Sequence, residues 1–120
     1  MAKILLVDDE TSILGPLKQF LIKIEHDVVG TATSAEEAIS MARLHKPDLL
    51  LMDIHLPGEM DGIEAADTIK KELKIPSIFM TGYIRRDYID RAARVEPFGY
   101  ILKPFKMSEV QAAIEIALYQ

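Results

Sequence analysis

Polar side chains suited to chemistry follow four short apolar runs in this sequence. They are Asp8 and Asp9 after Val7, Asp53 after Met52, Thr81 and Gly82 after Met80, and Lys103 after Leu102. Singly, each aspartate could cap a helix or begin a turn. In one cleft, three carboxylates would repel one another unless a cation neutralised them. Mg²⁺ suits this set because it accepts one or two carboxylates, keeps several waters and shares phosphate oxygens. We therefore predict phosphoryl chemistry, with Lys103 adding positive charge and Thr81 a hydroxyl for a phosphoryl oxygen.

The elements that must position these residues alternate along the chain. Short runs rich in Leu, Ile and Val predict five strands, at residues 3–7, 28–29, 49–52, 78–80 and 100–102. Apolar spacing and N-terminal caps predict helices at residues 13–24, 35–45, 62–73, 85–94 and 110–118. Unbroken apolar strands are typical of parallel sheets buried on both faces. We predict a three-layer α/β fold, a doubly wound five-stranded parallel sheet with five helices. Such sheets bind ligands beyond the carboxyl ends of their strands.

Two of the predicted helices have irregular patterns. Gly15 and Pro16 fall inside the first one, and an interior proline removes a hydrogen bond and clashes with the preceding turn. That helix should therefore either start late or kink. In the segment 85–94, charges of both signs interleave, which favours a solvated helix. Tyr88 in this segment and Tyr83 just before it are candidates for contact with a partner protein.

Charge and composition exclude several classes of function. The 120 residues include 14 Lys and Arg against 19 Asp and Glu, a net charge of −5, so we expect no direct contact with nucleic acid. The absence of cysteine excludes disulfides, thiolate metal sites and thiol nucleophiles. No apolar run approaches the ~20 residues of a membrane span, and the N-terminus is unlike a secretory signal. We expect a single cytoplasmic domain over residues 1–120, with no output domain in this chain.

The residues at the strand ends resemble those of the receiver domain of two-component response regulators, and the resemblance covers the whole chain. Asp8 and Asp9 match the family's acidic pair, Asp53 its phospho-acceptor, Thr81 its switch hydroxyl, Tyr100 its switch aromatic, and Lys103, followed by Pro104, its lysine. Several matches in order are more specific than any one of them. The resemblance implies a flavodoxin-like sheet with strand order 2-1-3-4-5.

The resemblance also implies a chemistry. Asp53 would take a phosphoryl group, with Mg²⁺, from a sensor histidine kinase or a phosphotransfer protein. Asp9 would bind the metal directly and Asp8 through water, and Asp53 and the backbone carbonyl of His55 would complete the protein ligands. The domain would be no enzyme beyond catalysing its own phosphorylation and dephosphorylation.

A conformational switch is implied in the same way. Thr81 would move toward the phosphoryl group and Tyr100 would fill the space it leaves. This movement would change the surface formed by the fourth helix, the fifth strand and the fifth helix, which would regulate a downstream protein or a fused sensor or output domain. The bond between Lys103 and Pro104 would be cis.

The sequence departs from the family's commonest form in two places. Residues 58–62 make the loop after Asp53 one residue longer, which predicts an altered path but no loss of the acceptor. His55 and Tyr83 occupy the positions two after the acceptor and two after the switch hydroxyl, which influence loss of phosphate in the family. Both side chains are bulky, so we predict slow to moderate dephosphorylation.

Two other classes of protein share parts of this pattern. A Mg²⁺-dependent phosphohydrolase also uses acids, a hydroxyl and a lysine on an α/β sheet, but its nucleophile usually lies in an Asp-x-Asp motif after the first strand. In this sequence Asp8 and Asp9 are adjacent, and Asp53 follows the third strand. A flavin or nucleotide carrier would need a glycine-rich phosphate loop after the first strand, and this sequence has none. Substrate turnover would distinguish the hydrolase from a receiver.

Overall fold

Strands and helices alternate along the part of the chain that the structure, a computed structural model, describes, which is residues 1–82 and 85–120. The strands are β1 (Lys3–Val7), β2 (Asp27–Ala32), β3 (Leu49–Asp53), β4 (Ser77–Thr81) and β5 (Gly99–Leu102). The helices are α1 (Thr11–Lys23), α2 (Ala35–His45), α3 (Gly62–Leu73), α4 (Arg86–Val95) and α5 (Met107–Leu118). Within these residues, no helix has both the length and the apolarity that crossing a membrane requires.

The five strands of the described residues form one parallel sheet in the order β2-β1-β3-β4-β5. Side chains alternate between its faces, so Leu5 and Leu50 join one apolar cluster while Leu6 and Leu51 join the other. The first cluster packs against α2, α3 and α4, and the second against α1 and α5. These three layers confirm the predicted fold class and strand order.

The register of the sheet brings the predicted site residues to one edge. Val7 of β1 lies beside Met52 of β3, Asp53 lies beside Met80 of β4, and Thr81 lies beside Leu102 of β5. Because all the strands are parallel, the residues that follow them emerge at the same edge. Asp8, Asp53, Thr81 and Lys103 therefore follow one another across four adjacent strands.

The first helix runs through its proline. Because α1 begins at Thr11 and continues past Pro16 to Lys23, the expectation of a late start is wrong. A residue before proline normally avoids the α region because its Cβ collides with the proline ring. Gly15 has no Cβ. Apart from its chain neighbours and the backbone of its own helix, no heavy atom lies within 4 Å of the position that a Cβ would occupy. The sequence therefore removes the main clash and gives up one helical hydrogen bond.

The loop after β3 closes tightly onto the end of that strand. Asp61 caps α3 by accepting a hydrogen bond from the backbone of Glu64, whose side chain accepts one from the backbone of Asp61. The backbone N–H of Gly62 donates to the carbonyl of Ile54 at 2.8 Å, and a Cβ at Gly62 would overlap the carbonyl oxygen of Asp53. Glycine is thus required for the N-terminus of α3 to lie against the residue at the centre of the predicted site.

Candidate functional site

Lys103 joins the acidic side chains at this edge of the sheet. Its Nζ lies 2.8 Å from Asp8 Oδ2, 3.2 Å from Glu10 Oε1 and 3.5 Å from Asp53 Oδ1. Asp8 is fully buried and Asp53 is only 3% exposed, whereas Glu10 lies at the surface. Buried charges are stable only when they are paired and hydrogen-bonded, so this lysine is what holds the two aspartates in the protein interior.

Backbone groups fix the positions of the same side chains. The N–H of His55 donates to Asp53 Oδ1 at 3.4 Å, and the N–H of Glu10 donates to Asp8 Oδ1 at 2.9 Å. The N–H of Lys103 donates to the carbonyl of Thr81 at 2.8 Å, which continues the ladder between β4 and β5. The peptide bond from Lys103 to Pro104 is cis, as the resemblance implied.

The electrostatics of the cleft favour the protonated form of Asp53. Burial and, next, the nearby charge of Asp8 raise the pKa of Asp53 to about 7, because the opposing effects of Lys103 and the His55 N–H are smaller. Burial lowers the pKa of Lys103, but its hydrogen bond to Asp8 and the charges of Asp53 and Asp8 outweigh that effect and raise it. The cleft therefore holds more negative charge than its lysine neutralises.

An all-oxygen ligand set lies at the mouth of the cleft. Carboxylate oxygens of Asp8, Asp9 and Glu10 lie within 4.8 Å of one another. The set suits a hard cation such as Mg²⁺, and a cation there would offset the burial and the Asp8 charge that raise the pKa of Asp53. The residues present therefore fit the metal. Glu10 was missed by the sequence interpretation, although a third acid directly after Asp8 and Asp9 is visible in the sequence.

The remaining predicted residues surround the acidic cluster. Thr81 is fully buried at the end of β4, and a Cβ on Gly82 would lie 3.9 Å from that of Lys103. Tyr100 is half-buried, and burial raises the pKa of its hydroxyl. That hydroxyl has no hydrogen-bond partner among the described residues. Tyr83, one of the two residues expected to screen the acceptor, lies outside the described residues.

A cleft of about 870 Å³ extends from this cluster along the surface. Its polar end is lined by Asp9, Asp53, Gly82 and Lys103. Its other end is largely apolar, lined by Ile13 and Pro16 of α1 and by Pro104, Phe105 and Met107 after β5. A buried carboxylate thus lines an open cleft that also has apolar walls.

Comparison with known proteins gives a consistent family. The model of the response regulator receiver domain matches residues 4–115. The chain is 36% identical over 116 residues to the transcriptional regulatory protein PdtaR of Mycobacterium tuberculosis, covering 97% of this chain and 56% of PdtaR. It is 38% identical over 114 residues to the response regulator protein VraR of Staphylococcus saprophyticus, covering 93% of this chain and 54% of VraR. The chain therefore spans about half the length of these curated relatives.

Solved structures agree with the sequence comparisons. The signal receiver domain of a modulated diguanylate cyclase from Desulfovibrio desulfuricans superposes with a TM-score of 0.93 at 34% identity, covering 99% of this chain and 94% of that one. A CheY-like receiver domain protein from Methanospirillum hungatei superposes with a TM-score of 0.92 at 29% identity, covering 99% and 94%.

The raised pKa of Asp53 predicts how Asp53→Asn changes stability with pH. Unfolded Asp53 ionises near pH ~4, but in the folded state it ionises near pH 7, so the folded wild type loses stability as pH rises through this window. Asparagine cannot ionise. In chelator, the advantage of Asp53→Asn over wild type should therefore grow from pH 4 to a plateau above pH 7. At about 1.4 kcal/mol per pKa unit, this displacement of the Asp53 pKa corresponds to a gain on the order of 4 kcal/mol at the plateau.

Urea unfolding at pH 5 and at pH 8 measures this difference. Asp90→Asn, which removes an exposed carboxylate of α4, is the matched control. An advantage of Asp53→Asn that stays the same at both pH values would contradict the electrostatic description of the cleft.

Proposed function

The chain belongs to the family of response regulator receiver domains, and on that premise we propose that Asp53 accepts a phosphoryl group from a phosphohistidine on a sensor histidine kinase or a phosphotransfer protein. A bond forms between phosphorus and a carboxylate oxygen of Asp53, and the bond from phosphorus to the imidazole nitrogen breaks. The observation that carries the proposal is the buried carboxylate of Asp53, 3.5 Å from Lys103 Nζ on the floor of an open cleft.

In this proposal Asp8, Asp9, Asp53 and the backbone carbonyl of His55 hold Mg²⁺, with Glu10 as a further carboxylate beside them. When bound, the metal supplies positive charge that favours the ionised acceptor and attracts phosphoryl oxygens. The ionised form matters because only the carboxylate of Asp53 is nucleophilic. At neutral pH without added positive charge, a group with a pKa of about 7 is only partly ionised.

Lys103 and Thr81 stabilise the transferred group. A phosphoryl group in flight carries its charge on three equatorial oxygens, so catalysis is mainly positioning and electrostatic stabilisation. Lys103 is held by Asp8 with its Nζ facing Asp53, which prepares it to bind one of these oxygens. The Thr81 hydroxyl is proposed to bind another. The phosphoryl group stays covalently attached to Asp53 until water removes it. The domain therefore catalyses only its own phosphorylation and dephosphorylation.

The apolar end of the cleft suits the donor protein. Ile13 and Phe105 are only half-buried, beside the exposed Pro16, and they flank the route to Asp53. A helix that presents a phosphohistidine next to apolar side chains would cover them while its imidazole reached the acceptor. The acidic balance of the chain supports a protein partner and no direct contact with nucleic acid. We propose the cytoplasm as its place of action.

Thr81 and Tyr100 form the proposed switch. The buried Tyr100 hydroxyl lacks a partner among the described residues, and an unsatisfied buried hydroxyl costs about 1 to 3 kcal/mol. This cost reduces the free-energy difference between the present packing of the Tyr100 ring and an alternative one. A phosphoryl group that attracts Thr81 favours one packing over the other, and so changes the surface formed by α4, β5 and α5. That surface would regulate a downstream protein or a fused domain.

Phosphorylation by acetyl phosphate tests the acceptor directly. With Mg²⁺, intact mass should show one added phosphoryl group on wild type and on the control Asp67→Asn, an exchange of a carboxylate on α3 away from the cleft. The group should be lost in base, and it should be absent with chelator or in Asp53→Asn. Sustained hydrolysis of the donor without an adduct would favour the phosphohydrolase instead. The absence of both an adduct and hydrolysis would also overturn the proposal.

Thr81→Ala tests the switch separately from the acceptor. The variant should still take the phosphoryl group, because Asp53, Lys103 and the acidic cluster are intact. In wild type, phosphorylation should change the hydrogen exchange of amides in α4 and β5, and Thr81→Ala should lose most of that change. Thr68→Ala on α3 is the control. A full response in phosphorylated Thr81→Ala would rule out this route.

A further inference from the structure

Helix α4 is attached to the molecule by few apolar side chains. Among its described residues, Ala92 and Val95 are buried, and most of the others are exposed. Two small side chains bury little surface, so other contacts must determine where this helix lies. Two of these contacts lead to the loop between β3 and α3.

The first contact joins Tyr88 to His55. The two rings meet edge to face, with their centroids 4.6 Å apart and their planes at 86°. The Arg85 guanidinium lies 4.9 Å from the centroid of Tyr88. Aromatic edge contacts and cation-π contacts both favour a fixed ring orientation. Tyr88, which the sequence suggests as a contact for a partner, packs against the residue two positions after Asp53.

The second contact joins Arg91 to Asp61. Arg91 Nη2 lies 2.8 Å from Asp61 Oδ2, in a pair that is partly shielded from solvent. The other carboxylate oxygen of Asp61 caps α3 by accepting the N–H of Glu64 at 2.9 Å. One carboxylate thus ends the loop and also anchors α4 to it.

These contacts attach α4 to both ends of the loop that follows Asp53. The N–H of His55 donates to Asp53 Oδ1, and its carbonyl is one of the proposed metal ligands. His55 also lines the cleft, together with Asp53. We propose that Tyr88 and Arg91 are positioning residues that hold this loop in the geometry for metal binding and fix the orientation of the His55 ring beside the cleft. The inference rests on the proposed function and is separate from the Thr81 route.

The coupling must work in both directions. If α4 in this position strengthens binding at the acceptor, then binding at the acceptor stabilises α4 in this position by the same free energy. A protein that binds α4 would therefore change the metal affinity and the lifetime of the acyl phosphate.

The test compares four variants in two assays. Tyr88→Ala removes the ring, and Tyr88→Phe keeps it. Arg91→Gln removes the ion pair with Asp61. Arg94→Gln is the control, because it removes a charge of the same helix that forms no ion pair among the described residues. Calorimetric titration of the unphosphorylated proteins measures Mg²⁺ affinity. The decay of the adduct formed with acetyl phosphate measures its lifetime. Urea unfolding checks that each variant is folded at the assay temperature.

Tyr88→Ala should weaken Mg²⁺ binding about tenfold, the smaller end of the effect of removing a group that orients a metal ligand. It should also change the lifetime of the adduct, because the His55 ring loses its edge contact with Tyr88 beside the cleft. Arg91→Gln should act in the same direction, while Tyr88→Phe and Arg94→Gln should behave as wild type.

Four outcomes would contradict the inference, a part of it, or the proposed function. Wild-type affinity and lifetime in folded Tyr88→Ala would overturn the inference while leaving the proposed function intact. A defect in Tyr88→Phe as large as in Tyr88→Ala would also overturn it, since the ring contact would then not be the cause. Equal defects in Arg91→Gln and Arg94→Gln would remove Arg91 from the proposal. A wild type that bound neither Mg²⁺ nor phosphate would instead reject the proposed function.

Discussion

The burial of Asp53 beside Asp8, with Lys103 as their shared cation, is the interaction on which the site depends. Two carboxylates close together in a poorly solvated cleft are stable only if positive charge reaches both. The lysine supplies part of it, and the raised pKa of Asp53 shows that the balance is incomplete. A bound cation would supply the positive charge that these two carboxylates need.

The parallel sheet and its apolar core keep these charged side chains close together. Four parallel strands end at one edge, and each contributes its last residue or the residue that follows it. The apolar side chains of these strands are buried between two layers of helices. The position of the sheet edge is therefore stabilised by the core and not by contacts within the site. The close approach of Gly62 to the Asp53 carbonyl then fixes the loop beyond the acceptor. In this way a stable sheet tolerates an edge whose charges repel one another.

The sequence was sufficient for the fold because its apolar runs and its strand-end residues are local signals. It was less informative where partners come from distant segments. β2 was predicted over residues 28–29 but extends over Asp27–Ala32, because this edge strand is half-exposed and its pattern is weaker. The pairing of Glu10 with Lys103 joins residues 93 positions apart. Likewise, the spacing of α4 indicates an exposed helix, and nothing in it shows that Tyr88 meets His55.

The most direct test of the charge balance is to titrate the carboxyl carbon of Asp53 by ¹³C NMR, in chelator and in saturating Mg²⁺. Asp53→Asn assigns the signal. Without metal, the signal should titrate with a pKa of about 7, and Mg²⁺ should lower that pKa because a cation favours the ionised form. A pKa near ~4 in chelator, the ordinary value for an aspartate, would contradict the account, as would a raised pKa that Mg²⁺ left unchanged.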